Sequence, residues 1–126
     1  MINRLEVKAL TLEEARSLLG YDSAVDLRVV LNRKLDRSFR AETRTLNCLR
    51  NSNCVYIGDI VGSLLEVSGN LYRYFLESRS DRNPHINRVD GAGKVTIKDL
   101  SEALQHLDPK LKIGVIMPHE EWYTGE

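Results

Sequence analysis

The sequence predicts an all-α fold: a compact multi-helix domain with an N-terminal helical extension. Apolar residues recur at helical spacing in several segments, Ser and Thr residues stand where helix caps belong, and Gly or Pro stands where helices end. The chain has 126 residues, of which 42% are hydrophobic and 29% charged. A chain of this size and composition is long enough to bury one core without a disulfide or a metal.

Two helices are predicted in the N-terminal extension, residues 1–38. Thr11 and Glu14 have the spacing of a capping box, and Gly20 supplies a C-terminal stop. The second helix is predicted to begin at Ser23. Because the run 27–31 is short and β-branched, a strand is the alternative interpretation there. The apolar positions of the two helices are Leu12, Ala15, Leu18 and Leu19, then Leu27, Val30, Leu31 and Leu35.

Residues 39–126 are predicted to form the main domain. One helix extends from a cap at Thr43 to Asn51, and the next begins at Asp59, since an acidic residue favours a helix N-terminus. An amphipathic stretch over 67–76 predicts a further helix. The helix that begins at Asp59 is expected to carry Ile60, Val61, Leu64 and Leu65.

The end of the domain is predicted to be a polar loop followed by a last helix. The loop covers 78–88 and contains a proline. Thr96 is expected to cap the last helix and Pro109 to close it. Trp122 is expected to fold back onto the core, because a lone Trp carries a large apolar surface that is costly to leave in water.

Basic residues are concentrated between Leu27 and Arg50, although the formal net charge of the chain is zero. That stretch has seven basic residues against two acidic ones, a local net charge of +5. Since the Debye length is about 8 Å at physiological salt, such a block attracts phosphate groups at close range. A solvated helix face is the alternative interpretation. The basic residues are Arg28, Arg33, Lys34, Arg37, Arg40, Arg44 and Arg50.

Residues 89–96 have the form of a helix-hairpin-helix element, in which Gly91 and Gly93 are separated by one residue. Two glycines let the backbone turn tightly and approach a phosphate, while free amides at the next helix start supply donors. A P-loop does not fit, because it has four residues between its glycines. A calcium loop fits the glycine spacing, but Arg88 and Ala92 would stand where oxygen ligands belong.

Cysteine and histidine usage argues against a metal site and against catalysis. Cys48 and Cys54 are separated by five residues, which fits neither a disulfide framework nor common zinc spacing. No histidine stands in a motif with a nucleophile, so the chain is predicted to be no enzyme and to need no cofactor. The charged N-terminus does not fit a signal peptide, and no apolar run reaches the length of a membrane span. A cytoplasmic location and no membrane partner are therefore expected.

Three blocks follow one another along the chain: Arg44-x-x-Asn47-Cys48-Leu49, Tyr56-Ile57-Gly58-Asp59-Ile60-Val61, and the glycine hairpin, with a terminal stretch over 114–122. In this order they resemble the C-terminal domain of the bacterial RNA polymerase alpha subunit. The resemblance covers about residues 36–122. Its most specific parts are the Asn-Cys-Leu and Tyr-Ile-Gly-Asp blocks.

The resemblance implies a compact helical domain that binds DNA and modulates transcription with RNA polymerase or a regulator. Arg44 would enter the minor groove of A·T-rich DNA, with Asn47 and Cys48 contacting the backbone beside it. A narrow A·T minor groove concentrates negative potential and favours an inserted guanidinium, so selection by shape and modest sequence specificity are expected. The opposite wall would be formed by Gly91, Gly93, Lys94 and Thr96.

Two departures from the family pattern affect this expectation. An insertion is predicted at about 62–88, because 34 residues lie between Gly58 and Gly93, and Val95 stands where the family has a second lysine. The chain begins at Met1 without an assembly domain, which predicts a stand-alone relative. The alternative function is a protein–protein interaction module that has kept the fold and lost DNA binding. It would contact polymerase, a regulator or a second copy of the chain, as a homodimer, with Tyr74 and Phe75 as docking residues.

Overall fold

The computed structural model describes residues 7–75, 85–89 and 91–125. This part of the chain contains both helices and a three-stranded antiparallel sheet, so the predicted all-α fold is wrong and the fold is mixed. The helices are α1 (Leu12–Leu19), α2 (Ala24–Leu31), α3 (Thr43–Asn51), α4 (Ile57–Val61), α5 (Lys94–Leu107) and α6 (His119–Trp122). The strands are β1 (Leu64–Val67), β2 (Asn70–Phe75) and β3 (His85–Arg88), in the order β1-β2-β3.

The sheet replaces two segments that were predicted to be helical. α4 ends before Gly62, so Leu64 begins β1 instead of extending the helix. Ser68 and Gly69 then adopt positive φ angles of 53° and 81° and form a two-residue hairpin turn, since Val67 pairs with Asn70. The helix predicted over 67–76 is wrong because this turn reverses the chain in a segment whose apolar spacing also fits a helix.

Strand β3 occupies the end of the segment that was predicted to be a polar loop. It pairs with β2 in an antiparallel register that places Arg88 opposite Tyr72 and Asn87 opposite Arg73. The Val89 amide donates to the Leu71 carbonyl at 2.8 Å, just beyond the strand. The earlier part of the predicted loop, residues 78–84, lies outside the described residues.

The two N-terminal helices begin where they were predicted, but α2 ends at Leu31, so Leu35 lies outside it, contrary to prediction. Thr11 Oγ1 accepts from the Glu14 amide at 3.1 Å and Glu14 Oε1 accepts from the Thr11 amide at 3.0 Å, which completes the capping box. Ser23 caps α2 by accepting from the Asp26 amide at 3.1 Å, so the alternative strand is wrong. Leu18 is exposed and does not belong to the buried face of α1. α2 packs against both α1 and α4.

The N-terminus of α3 is capped from a distant part of the chain. Thr43 is the first residue of the helix and does not cap it, contrary to prediction, and Glu42 makes no side-chain cap. Asp99 of α5 supplies the missing acceptor, because its Oδ2 accepts from the Glu42 amide at 2.9 Å and from Thr45 Oγ1 at 2.5 Å. A carboxylate at this end of α3 is also favoured by the helix dipole. These bonds fix α3 against α5.

One hydrophobic cluster joins the helices to the sheet. Leu27 and Leu31 of α2 are fully buried in the same cluster as Leu100 of α5 and Leu71 of β2. The division of the chain at residues 38 and 39 stays a prediction. Trp122 is 2% exposed, which confirms that it folds back onto the core.

Arg73 joins the sheet to the helices from a buried position on β2. Its Nη1 donates to the Ser52 carbonyl and, at 3.0 Å, to Cys54 Sγ, while its Nη2 lies 3.7 Å from Asp59 Oδ1. Burial raises the pKa of Cys54 to about 12, so this thiol is neutral at physiological pH. The predicted insertion is therefore bonded to the end of α3 and to α4.

Candidate nucleic-acid interface

The glycine turn lies against the middle of α3. Gly91 has a φ of +81°, a conformation that favours glycine, and a Cβ built on it would lie 3.6 Å from Cys48 Sγ. Cys48 is buried on the face of α3 that packs against the rest of the domain. The fold thus brings together two blocks that are far apart in the sequence.

Two of the predicted site residues lie on the exposed side of α3. With about 100° between successive residues of a helix, Arg44 lies about 40° and Asn47 about 100° around α3 from Cys48. Both side chains are exposed. Arg44 therefore lies on the edge of α3 next to the glycine turn. Arg50 is also exposed, but it lies about 160° around the helix from Cys48 and so faces away from the glycine turn.

The start of α5 forms the second part of this surface. Gly93 is the N-cap residue and makes no side-chain cap, and the first intrahelical bond goes from the Ile97 amide to the Gly93 carbonyl at 2.9 Å. The amides of the first turn have no partner within the helix, and the positive end of the dipole favours an anion there. Gly93, Lys94 and Val95 are exposed. The start of α5 therefore favours a negative charge beside it.

The predicted site residues differ in what they can contact. Thr96 is 4% exposed and lies inside α5, so it does not cap that helix as predicted, and it offers a ligand only its backbone amide. Cys48 is 6% exposed and acts as the packing contact for Gly91. The side chains and glycine backbone open to solvent belong to Arg44, Asn47, Gly91, Gly93 and Lys94.

The turn between β1 and β2 lies next to this surface. A Cβ built on Gly69 would be 3.4 Å from Cε of Lys94 and 3.8 Å from its Cγ, so the turn lies along the aliphatic stem of the lysine. The sequence predicted an insertion here but did not show that its turn would meet Lys94. The Ser-Gly dipeptide was the available signal for the turn.

No family model, curated protein or solved structure matches the chain. The surface is therefore interpreted from its own geometry. Among the helices that the structure describes, none has the length and apolar character to cross a membrane.

Metal binding has little support in the described part of the chain. No group of three or more His, Cys, Asp or Glu side chains there could hold a metal ion. A calcium loop beginning at Arg88 would end at Asp99, and that carboxylate is already engaged by the N-terminus of α3.

Most of the basic block lies on a different surface. A groove of about 990 Å³ separates the 34–42 segment from α3, and its apolar residues include Leu35, Phe39, Leu46 and Leu49. Three acidic residues also line it, Asp36, Glu42 and Asp99. We call it the basic groove. Its basic residues are Lys34, Arg37, Arg40 and Arg50.

Proposed function

We propose that this protein is a DNA-binding module that contacts the minor groove and flanking backbone of A·T-rich DNA. In this role it modulates transcription, together with RNA polymerase or a regulator, in the cytoplasm and without catalysis or a cofactor. The observation that carries the proposal is the approach of Gly91 to Cys48, because it sets the exposed edge of α3 beside the open start of α5. The sequence resemblance to the alpha-subunit domain supports the same assignment.

The chemistry of the two elements suits a strand of phosphates beside a narrow groove. Arg44 supplies a charged, planar guanidinium, which a narrow A·T minor groove attracts. Asn47 supplies an amide on the same exposed side of α3, and Lys94 adds a point charge next to the free amides of α5. These contacts favour A·T-rich DNA by its shape, so modest sequence specificity is expected.

A salt titration with matched arginine variants tests the proposal. Arg44→Ala should weaken binding to an A·T-rich duplex about tenfold or more and reduce the slope of log K against log salt by about one. Arg50→Ala is the control, because Arg50 is an exposed arginine on the same helix but faces the basic groove. It should change affinity by about twofold or less at physiological salt, where distant charges are screened.

Equal affinities for wild type and Arg44→Ala would contradict insertion of this residue into the groove. Equal losses in Arg44→Ala and Arg50→Ala would point to general charge attraction without a defined site. Because both side chains are exposed, neither change should alter folding stability by more than about 0.5 kcal/mol. Circular dichroism melts of the variants check this point.

A protein–protein interaction module is the second candidate function. The basic groove favours it, because an apolar floor with a charged rim is the usual anatomy of an interface. Tyr74, the predicted docking residue, is buried at 7% exposure, so its substitution would report on folding. The side chain of Phe75 lies outside the described residues. Replacement of Leu46 by Asp in the groove should then abolish partner binding. Added DNA should leave the affinity for the partner unchanged.

A further inference from the structure

A second, smaller cavity lies at the C-terminal end of α3, between that helix and strand β3. Its volume is about 390 Å³. At about 30 Å³ per water molecule, this is room for roughly a dozen waters, or for a phosphate group with the atoms attached to it. We call it the amide cavity. It is lined by Asn51, Ser52, Asn53, Arg73, Asn87, Arg88 and Val89, with no carboxylate among these described residues.

The polar lining side chains can all donate hydrogen bonds. Asn51, Asn53 and Asn87 are exposed, and each side-chain amide offers two N–H donors. Within the described part of the chain, none of the three side chains is engaged in a hydrogen bond with another residue. Arg88 also lines the cavity and carries a permanent positive charge, but it stands opposite Tyr72, so its side chain starts from the other face of the sheet from Asn87. The set therefore suits an anion with several acceptor oxygens.

The negative end of the α3 dipole would ordinarily oppose an anion at this place. Arg73 counteracts part of this effect, because its guanidinium, which also pairs with Asp59, donates to the Ser52 carbonyl immediately after the helix. Arg73 lies opposite Asn87 in the β2–β3 register, so the two side chains share one face of the sheet. The guanidinium is thus held where it offsets the helix end beside the Asn87 amide.

The amide cavity lies close along the chain to the candidate nucleic-acid interface. Val89 precedes Gly91 by two residues, which places the cavity wall within about 7 Å of the glycine turn. On the other wall, Asn51 follows Cys48 by three residues along α3. One strand of B-DNA has a phosphate for about every 3.4 Å of helix axis. A strand that crosses Gly93 therefore has a further phosphate within reach of the cavity.

We propose that the amide cavity binds a phosphate group, and that in the DNA complex this is a backbone phosphate next to those at the glycine turn. The DNA part rests on the proposed function, while binding of phosphate alone does not. Asn87 and Arg88, contributed by the insertion, then extend the interface beyond the residues that the alpha-subunit resemblance suggests.

The first experiment titrates inorganic phosphate at constant ionic strength and follows the side-chain amide signals of the asparagines by NMR. Saturable shifts are expected for Asn51, Asn53 and Asn87, and they should be weaker in Arg88→Gln. Chloride at the same ionic strength is the control anion and should produce no saturable shift. Absence of saturation with phosphate would overturn the proposal, whatever the protein does with DNA.

The second experiment measures binding of an A·T-rich duplex to Asn87→Asp, which introduces a negative charge with almost no change of shape. A loss of about tenfold is expected from a carboxylate facing a phosphate. Gln105→Glu is the matched control, since this exposed amide lies about 16 Å along α5 from Lys94. Its affinity should stay within about twofold of wild type.

The two experiments separate the two sources of phosphate. If the duplex binds and responds to Arg44→Ala but not to Asn87→Asp, the DNA part is overturned and the proposed function stands. If phosphate saturates the amide signals and no duplex binds, the proposed function fails and the cavity is a site for a free phosphate group. Asn87 is exposed, so the wild-type fold is expected in Asn87→Asp and is checked by its melt.

Discussion

The indole of Trp122 lies directly on the backbone of Gly58 in α4, and this contact predicts the effect of Gly58→Ala. A Cβ built on Gly58 would lie 2.5 Å from Cδ2 of Trp122, whereas carbon atoms pack at about 3.5–4.0 Å. The ring would therefore have to retreat by about 1 Å or more. It has little room, because it is 2% exposed and lies edge-on to Tyr56 and His119.

The expected loss follows from two opposing effects. Forcing a large aromatic side chain out of a packed site approaches the cost of its removal, about 3–5 kcal/mol. Alanine is a better helix former than glycine by about 1 kcal/mol, which offsets part of this cost. We expect Gly58→Ala to lower the free energy of unfolding by about 2–4 kcal/mol.

Urea denaturation followed by circular dichroism measures this loss, and the fluorescence of the single tryptophan reports whether the indole becomes exposed. Gly93→Ala is the control, because no atom lies within 4 Å of its built Cβ, and it should cost about 1 kcal/mol or less. In a Trp122→Ala background, Gly58→Ala should be neutral or stabilising by up to about 1 kcal/mol. An equal loss in both backgrounds would refute the steric argument.

Two further predictions concern the buried network at Arg73. Arg73→Met should lower the free energy of unfolding, measured by urea denaturation, by about 3–5 kcal/mol, because it leaves Asp59 buried without its cation. The double variant Arg73→Met with Asp59→Asn should recover part of the lost free energy. An unchanged urea midpoint for Arg73→Met would rule out a stabilising role for the Arg73–Asp59 pair. Burial raises the pKa of Cys54 from its ordinary value of 9.0 to about 12 in the folded protein. The stabilisation linked to the neutral thiol is therefore complete below pH 9 and is lost as the pH rises toward 12. Cys54→Ala should therefore flatten the decline of the urea midpoint above pH 9. An identical decline in wild type and variant would show that another group causes the loss of stability.

Local signals were sufficient to predict the N-terminal helices. The capping box at Thr11 and Glu14 and the cap at Ser23 are both formed between residues three positions apart. Such bonds depend on the chain itself and need no distant partner. The cap of α3 could not be found in this way, because its acceptor is Asp99, which is 57 residues away from Glu42.

The sheet was not predicted because the apolar residues over 64–75 fit both the spacing of a helix and the alternation of a strand. Leu71, Tyr74 and Phe75 are spaced as on one face of a helix, yet the segment lies in a strand. The two turn residues decide the structure, and Ser68 adopts the positive φ that Asn or Gly usually supplies in such a turn. The burial of Arg73 also depends on Asp59 and Ser52, which belong to other elements.

For the candidate interface, the residues could be named from the sequence, but the burial and strand register of some of them could not. The resemblance paired the Arg44 block with the glycine hairpin, and the structure brings Cys48 to Gly91. Burial of Thr96 depends on where α5 begins, and the helix begins three residues earlier than the predicted cap would require. Asn87 was overlooked because its segment was predicted to be a loop, which gives no register against β2.

The predicted insertion changes how Lys94 could act on the phosphate of the proposed complex. The β1–β2 turn lies against the Cγ and Cε atoms of this side chain, and a lysine held in this way has fewer rotamers before any ligand arrives. Ordering a free lysine costs up to about 2 kcal/mol of conformational entropy, and part of that cost is already met in the folded protein. Since Lys94 as a whole remains exposed, its charge stays available. The same segment fixes the end of α3 through Arg73, so it acts on both sides of the candidate interface and favours a preorganised surface, as the proposed DNA binding would require.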